Sequence, residues 1–269
     1  MHNFSSSVLE YFTDFRITKN KALNVRFGQF KNALAIENGL SCSFLEAIDL
    51  YSESVSFLAG CSKDPLYGSQ TGRDLGIAIF GETNNGKWRY ELNVMNGQGI
   101  NKKDGNNFKD IIGRIEFRPI EGLNIVTSGQ IGRGHAIAWS LYNPTIAVGE
   151  DYKRHRWTMG AEYKSRVFYG RAEYLEGRDG YVTSRGGYVS STVPLGVPGL
   201  EFIANYDYFN YNTMLGMNQH KAVGGLQYWF FKKCRMQVQY VYKSAQVQNN
   251  QFVKEGCHSL QCQMQIRFN

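Results

Sequence analysis

Arginine and carboxylate side chains recur at two-residue spacing along short stretches of this chain. Arg114, Glu116 and Arg118 form one such run, and Arg154 with Arg156 and Arg171 with Glu173 form two more. Residues two apart in a strand share a face, so each run would present its charges side by side. Guanidinium groups hold phosphate or carboxylate through paired donors, so such a face could bind or pass anions. Other chemistry finds less support. His135 and His155 have no Ser or Cys partner at a nucleophile turn, so no triad is indicated. Cys42, Cys61, Cys234, Cys257 and Cys262 include no CxxC pair, and zinc needs clustered thiolates or imidazoles. Asp104-Gly105-Asn106-Asn107 lacks a following bidentate acid in register and reads as a polar turn, not a calcium loop. No Walker-type phosphate loop occurs. No catalysis, no cofactor and no metal are expected. Cys42 and Cys61 could bridge in an oxidising compartment.

The elements that must position these charges are strands. The chain has 269 residues, with 30 Lys+Arg against 23 Asp+Glu and a formal net charge of +7. Mean hydropathy is −0.39, and no stretch approaches the ~18 consecutive apolar residues of a membrane-spanning helix. That excludes a helical membrane protein but not a β-barrel, whose strands hide their apolar face in alternation. Aromatics at 14%, with 29 Gly and 5 Pro, favour many strands and tight turns. The basic residues are spread, and no helical reader, zinc finger or RNP-type strand is present, so nucleic acid is not an expected partner.

Period-two alternation recurs almost to the end. Trp157, Met159, Ala161 and Tyr163 oppose Arg156, Thr158, Gly160 and Glu162; Leu260, Cys262, Met264, Ile266 and Phe268 oppose Gln261, Gln263, Gln265 and Arg267. About thirteen such segments can be drawn, many of roughly 10–12 residues, the length a tilted strand needs to cross a bilayer. The connections alternate short and long, with 177–181 a modest exception on the long side. An up-and-down barrel with tight turns at one rim and loops at the other gives this pattern. The expectation is therefore all-β: a single domain over 1–269, a transmembrane antiparallel up-and-down β-barrel. Trp88, Tyr90, Trp157, Tyr163, Tyr206, Tyr208, Tyr228 and Phe230 would face outward, as interfacial girdles.

Residues 31–72 exceed ordinary connection lengths. Residues 43–51 read as a short helix opened by a serine cap at Ser43. The stretch is either a flap outside the barrel or a loop folded into the lumen to narrow a pore, the second favoured because an apolar-faced helix needs a surface. Its acids Glu37, Glu46, Asp49 and Glu53 would then constrict the pore, and Asp64 adds to them against Lys31 and Lys63.

Alternation places Arg16, Arg26, Arg89, Arg114, Arg118, Arg154, Arg156, Arg171, Arg185, Arg235, Lys243 and Arg267 on the inward face. The acids Glu10, Asp14, Asp74, Glu91, Asp110, Glu116, Glu162, Glu173, Glu201 and Asp207 join them. Of these, Arg26, Arg89, Arg114, Glu116, Arg118, Arg156, Arg171, Glu173 and Arg267 are the expected pore-lining set. The charges could pair across neighbouring strands and merely polarise the wall, favour anions, or select phosphate.

Several stretches resemble one family. Asn96-Gly97-Gln98-Gly99-Ile100-Asn101, then Asp104, Asn107, Lys109-Asp110, Gly113-Arg114 and Pro119, are similar to the phosphate-selective porin O and P family. So are Arg73-Asp74-Leu75-Gly76 and Phe27-Gly28-Gln29-Phe30-Lys31. The likeness runs from about residue 20 to the end, and the last strand, ending at Phe268 before Asn269, resembles the assembly signal of outer-membrane barrels. The resemblance implies a sixteen-stranded, homotrimeric outer-membrane porin that contacts membrane lipid and passes small hydrophilic or anionic solutes. This chain departs in two ways: it shows no signal peptide at Met1-His2-Asn3-Phe4-Ser5, and about three strands are lacking. An N-terminally truncated porin is expected, with 31–72 following the fifth strand of a sixteen-stranded parent. The alternative is a soluble all-β glycan-binding protein with aromatic platforms. A barrel hydrolase would need a nucleophile–base pair, which the sequence does not offer.

Overall fold

The computed structural model describes residues 8–61, 64–67, 71–231 and 234–266. Its strands are β1 (Tyr11–Arg16), β2 (Asn24–Lys31), β3 (Arg73–Glu82), β4 (Trp88–Met95), β5 (Asp110–Phe117), β6 (Leu123–His135), β7 (Asp151–Lys164), β8 (Tyr169–Asp179), β9 (Val182–Pro194), β10 (Leu200–Asn210), β11 (Asn218–Phe231), β12 (Cys234–Lys243), β13 (Gln246–Gln248), β14 (Gln251–Val253) and β15 (Cys257–Gln265). Two short helices, α1 (Ile36–Gly39) and α2 (Glu53–Leu58), lie between β2 and β3. Thirteen strands form one antiparallel up-and-down sheet in chain order, β12 passing directly to β15. The small hairpin β13–β14, which alternation did not reveal, sits in the connection between them. β1 pairs only with β2 and β15 only with β12, so the sheet is not closed among the described residues.

The two faces differ as period two demands. Along β7, Arg154, Arg156 and Thr158 are buried while His155, Trp157 and Met159 are exposed. The β6–β7 register runs unbroken from Leu123↔Tyr163 to His135↔Asp151. A slip of one residue would turn both arginines outward and Trp157 inward. The convex face stays open: Ile131 is 63% exposed, Met159 58% and Leu260 72%. No second sheet covers it among the described residues, whereas a soluble sandwich buries such a face about 10 Å away. The tight turns keep the strands in register. Gly122 adopts φ 82°, and a Cβ there would lie 2.3 Å from the Lys164 carbonyl oxygen, so glycine closes the β5–β6 turn beside β7.

The concave face is filled by the long connection. Residues 32–38, 45–47 and 51–61 are buried, and Leu34, Leu45, Val55, Phe57 and Leu58 pack against Ile112, Leu175, Tyr188 and Phe209 of the wall. Phe57 meets the rings of Tyr142, Phe209 and Tyr211 at 5.4–5.5 Å.

Two sequence expectations need correction, and one open question is answered. Residues 43–51 form turns, not a helix; the helices are α1 and α2, the latter capped by Ser52, whose side chain accepts from Val55 N. The cause is tertiary. Wall side chains satisfy this stretch's backbone: Arg235 donates to Leu45 O at 2.6 Å, Gln237 to Glu46 O at 2.9 Å, and Ile48 N donates to Gln239 Oε1 at 3.0 Å. With those partners supplied, helical hydrogen bonds are not required. Arg185 lies on the outward face of β9 with Val189, because Ser184 and Tyr188 face inward; Gly186-Gly187 beside it carries no side chain to reveal the phase. The pairing of Cys42 and Cys61, which the sequence left open, is absent: both are free thiols, Cys61 Sγ bonding Asn38 Oδ1 at 3.3 Å and Cys42 Sγ lying 3.8 Å from Tyr51 OH. Arg267, Lys63 and Phe268 lie outside the described residues.

Candidate functional site

The long connection is clamped to the wall by its own acids. On β8, Arg171 reaches Glu37 at 3.0 Å and Glu46 at 2.7 Å, its side chain wholly buried. Lys221 on β11 meets Asp49 at 2.7 Å, and Lys243 on β12 sits between Asp49 at 3.6 Å and Glu53 at 3.5 Å. On β7, Arg156 contacts Asp64 at 3.2 Å and Asp179 at 3.0 Å and also donates to the Leu58 carbonyl. Backbone groups join in: Glu173 accepts from Ile36 N at 3.0 Å, Ser128 from Ala35 N at 3.1 Å, and Asp207 from Glu53 N. Buried charges of this kind persist only when paired. Burial, reinforced by Asp179, raises the Asp64 carboxyl to about 6 although Arg156 and Arg154 oppose the shift. Burial also pushes the Cys61 thiol well above the ordinary thiol range.

A second brace holds residues that carried the family resemblance. Asp74 accepts from Gly97 N at 2.6 Å, and Arg154 donates to Gly97 O and to Asp110, each at 2.6 Å. The Arg154 guanidinium stacks over Tyr67 at 4.5 Å. Gln29 and Asn101 exchange two hydrogen bonds, at 2.8 and 3.1 Å. These motif residues tie the loops after β2 and β4 to the wall; Gln29, Asp74, Asp110 and Arg154 are buried structure.

Open space lies at the tight-turn rim. A cavity of about 1480 Å³ is entered past Asn85, Lys87 and Ile120 and ends against Ile36, Leu40 and Phe44 of the long connection. Its β2–β5 side carries Arg26, Lys31, Arg73, Lys87, Arg89, Arg114 and Arg118 against Glu10, Glu91 and Glu116. The opposite side offers Glu162, Lys164, Glu201, Trp229 and Arg235. Glu116 bridges two arginines, Arg114 at 2.9 Å and Arg118 at 3.0 Å. Arg26 pairs with Asp14 at 2.7 Å and stacks over Phe12 at 4.0 Å. Arg89 lies directly opposite Glu116.

The expected site residues therefore divide. Arg26, Arg89, Arg114, Glu116 and Arg118 line the cavity together. Arg156, Arg171 and Glu173 are on the concave face, but the long connection covers them and they do not line it. Of the loop acids, Glu46 reaches the cavity edge, whereas Glu37, Asp49 and Glu53 are turned to wall bases. Sequence reasoning missed Lys221, although Leu226 and Tyr228 set its phase inward, and missed Asp179, Lys164 and Trp229.

No protein-family model matches the sequence, and a search of curated proteins finds no match. Solved structures do match. The anion-selective porin from Comamonas acidovorans is 15% identical, with a TM-score of 0.61 over 92% of this chain and 73% of that one. The outer membrane channel DcaP of Acinetobacter baumannii is 11% identical, with 0.59 over 88% and 70%. The trimer form of OmpT, an outer membrane protein of Vibrio cholerae, is 12% identical, with 0.54 over 88% and 73%. At such identities the likeness establishes architecture: this chain has the β-barrel fold of bacterial outer-membrane porins.

Proposed function

We propose that the chain forms an outer-membrane diffusion channel for small hydrophilic solutes, without catalysis. The observation that supports this most directly is the charged cavity of about 1480 Å³ on the concave side of a sheet whose convex side is apolar and uncovered. An apolar band outside and a polar interior suit a bilayer-spanning barrel. The tight turns would face the periplasm and the long connections the exterior. The 31–72 connection would act as the constriction, pinned by Arg171, Arg156, Lys221 and Lys243. Because the loop acids are neutralised by those bases, the unbalanced cavity charge comes from the β2–β5 side, and anions are favoured over cations. Phosphate specificity is a finer reading, and the Comamonas channel's anion selectivity is in keeping with the coarser one. Homotrimer assembly is proposed by analogy with the Vibrio protein.

The test is conductance in a planar bilayer across a potassium chloride gradient, followed by added phosphate. Stepwise conductance with a reversal potential of anionic sign is expected. Reversing Arg89, Arg114 and Arg118 to Glu should move it toward cation preference. Block by millimolar phosphate would support the finer reading. Well-folded protein that never conducts would overturn the channel.

A further inference from the structure

A further buried guanidinium stands on the side of the cavity away from the β2–β5 charges. Arg235 on β12 is 2% exposed and lines the cavity. The buried arginines Arg154, Arg156 and Arg171 each meet a carboxylate. Arg235 does not: among the described residues it forms no ion pair, and its partners are neutral. Nε donates to Gln265 Oε1 at 2.8 Å, Nη1 to Gln227 Oε1 at 3.0 Å and Nη2 to the Leu45 carbonyl at 2.6 Å. A guanidinium has five N–H donors, so each Nη keeps a spare one. Glu46, beside Leu45 in the chain, is already committed to Arg171 at 2.7 Å.

The acid of this wall is Glu201 on β10, which also lines the cavity. Its Oε2 accepts from Trp229 Nε1 at 3.0 Å and from Gln227 Nε2, while its Oε1 has no hydrogen-bond partner among the described residues. Gln227 thus stands between the two charges. Its amide oxygen accepts from Arg235 and its amide nitrogen donates to Glu201. A cation with spare donors and an anion with a spare oxygen lie on one wall, bridged by a single amide group. That amide shows what fits beside it: an acceptor toward Arg235 and a donor toward Glu201. An α-amino acid carries the same pair in charged form, its carboxylate and ammonium attached to one carbon, and charge-assisted hydrogen bonds are the stronger ones. A plain anion would be attracted by Arg235 but repelled by Glu201, and a plain cation the reverse.

Aromatic rings flank the pair. Trp229 is directly opposite Arg235 in the register, and the guanidinium stacks over its indole at 5.2 Å. Phe44 precedes the Leu45 whose carbonyl Arg235 holds. Its backbone is fixed by a turn, Phe44 N donating to Ser41 O at 2.8 Å, yet its ring is 62% exposed at the cavity end. Such a ring gains by covering its apolar surface. We propose that Arg235, Gln227 and Glu201 form a subsite for zwitterionic amino acids with apolar or aromatic side chains, the side chain lying against Phe44 and Trp229. The proposal rests on the reading of the cavity as the interior of a channel.

The test is isothermal titration calorimetry of the detergent-solubilised protein with four probes. L-phenylalanine is compared with phenylpropionate, which lacks the ammonium, phenethylamine, which lacks the carboxylate, and L-alanine, which lacks the ring. L-phenylalanine should bind about tenfold more tightly than each of the others, the worth of one charge-assisted hydrogen bond or one ring contact. Glu201→Gln should bind L-phenylalanine and phenylpropionate equally, and Arg235→Gln should bind L-phenylalanine and phenethylamine equally. A merely structural role for either residue would weaken all four ligands together. Glu201→Gln decides the matter if Arg235→Gln fails to fold. Equal affinity of the wild-type protein for L-phenylalanine and any other probe overturns the proposal, as does no binding at all or a preference that survives its own variant. Conductance separates the two readings: a conducting protein without amino-acid preference sinks only the subsite, and that preference in a protein that never conducts sinks only the channel.

Discussion

Arg171 shows what a single inward charge does in this molecule. Its guanidinium is wholly buried and holds two carboxylates of the long connection, Glu37 and Glu46. Removing one partner from a buried ionic group strands the other, at about 3–5 kcal/mol, so this arginine anchors structure before it meets any solute. Asp64 adds a pH dependence. Its carboxyl is raised to about 6, first by burial and then by Asp179. The docked loop therefore holds this proton more tightly than a released loop, whose carboxyl has the ordinary value near ~3.9. Docking is favoured most below the ordinary value, weakens as pH rises toward 6, and is flat above it. Amide exchange in α2, corrected for its intrinsic pH dependence, should accordingly speed up between about pH 4 and 6, and Asp64→Asn should abolish the change. An unchanged profile in the variant would remove Asp64 as the cause.

The element that seats the long connection on the wall is α2. Six residues make a marginal helix on their own, and two features hold this one: the Ser52 cap and the wall beneath it. That wall is recessed at Gly177, where a Cβ would lie 2.4 Å from Leu58 Cδ2 and 3.2 Å from Arg156 Cγ. Leu58 is almost fully buried and has no room to retreat. Gly177→Val should therefore lift α2 from β8, destabilise docking by about 1–3 kcal/mol, and enlarge the single-channel conductance. Conductance and melting temperature both unchanged would mean that α2 does not constrict. The failed helix expectation lies earlier in the same long connection. Apolar residues in 43–51 suggested helical packing, but Arg235, Gln237 and Gln239 bind that stretch's backbone directly.

The whole molecule is a sheet with its polarity reversed relative to a soluble β protein. Charges and hydrogen bonds fill the concave side, and Ile131, Met159, Leu260 and their neighbours remain open on the convex side. A water-soluble chain does not leave an apolar face of this extent uncovered. The purified protein should require detergent and migrate faster on a denaturing gel unheated than boiled. Monodisperse behaviour without detergent, together with heat-independent mobility, would restore the glycan-binding alternative.

Much of this architecture was legible in the sequence because it is local. Period-two alternation marked the strands and, at Trp157 or Leu260, named their outer face. Connection lengths marked the two rims, since a tight turn and a long loop differ within a few residues. At Arg185 the local signal failed, because the adjacent glycines carry no side chain to show the phase. What alternation could not decide was which inward charges meet water. Arg114 and Arg171 look alike along the chain, yet one lines the cavity and the other is sealed beneath the loop. That difference depends on partners far apart in sequence, as in Arg171 with Glu46 at a separation of 125 residues or Arg235 with Leu45 at 190. Strands, their polarity and the up-and-down order could be read along the chain, because side-chain direction along a strand is a property of neighbouring residues. Where the long connection docks and which charges it consumes emerge only in the folded chain, because electrostatic pairing depends on distance in space.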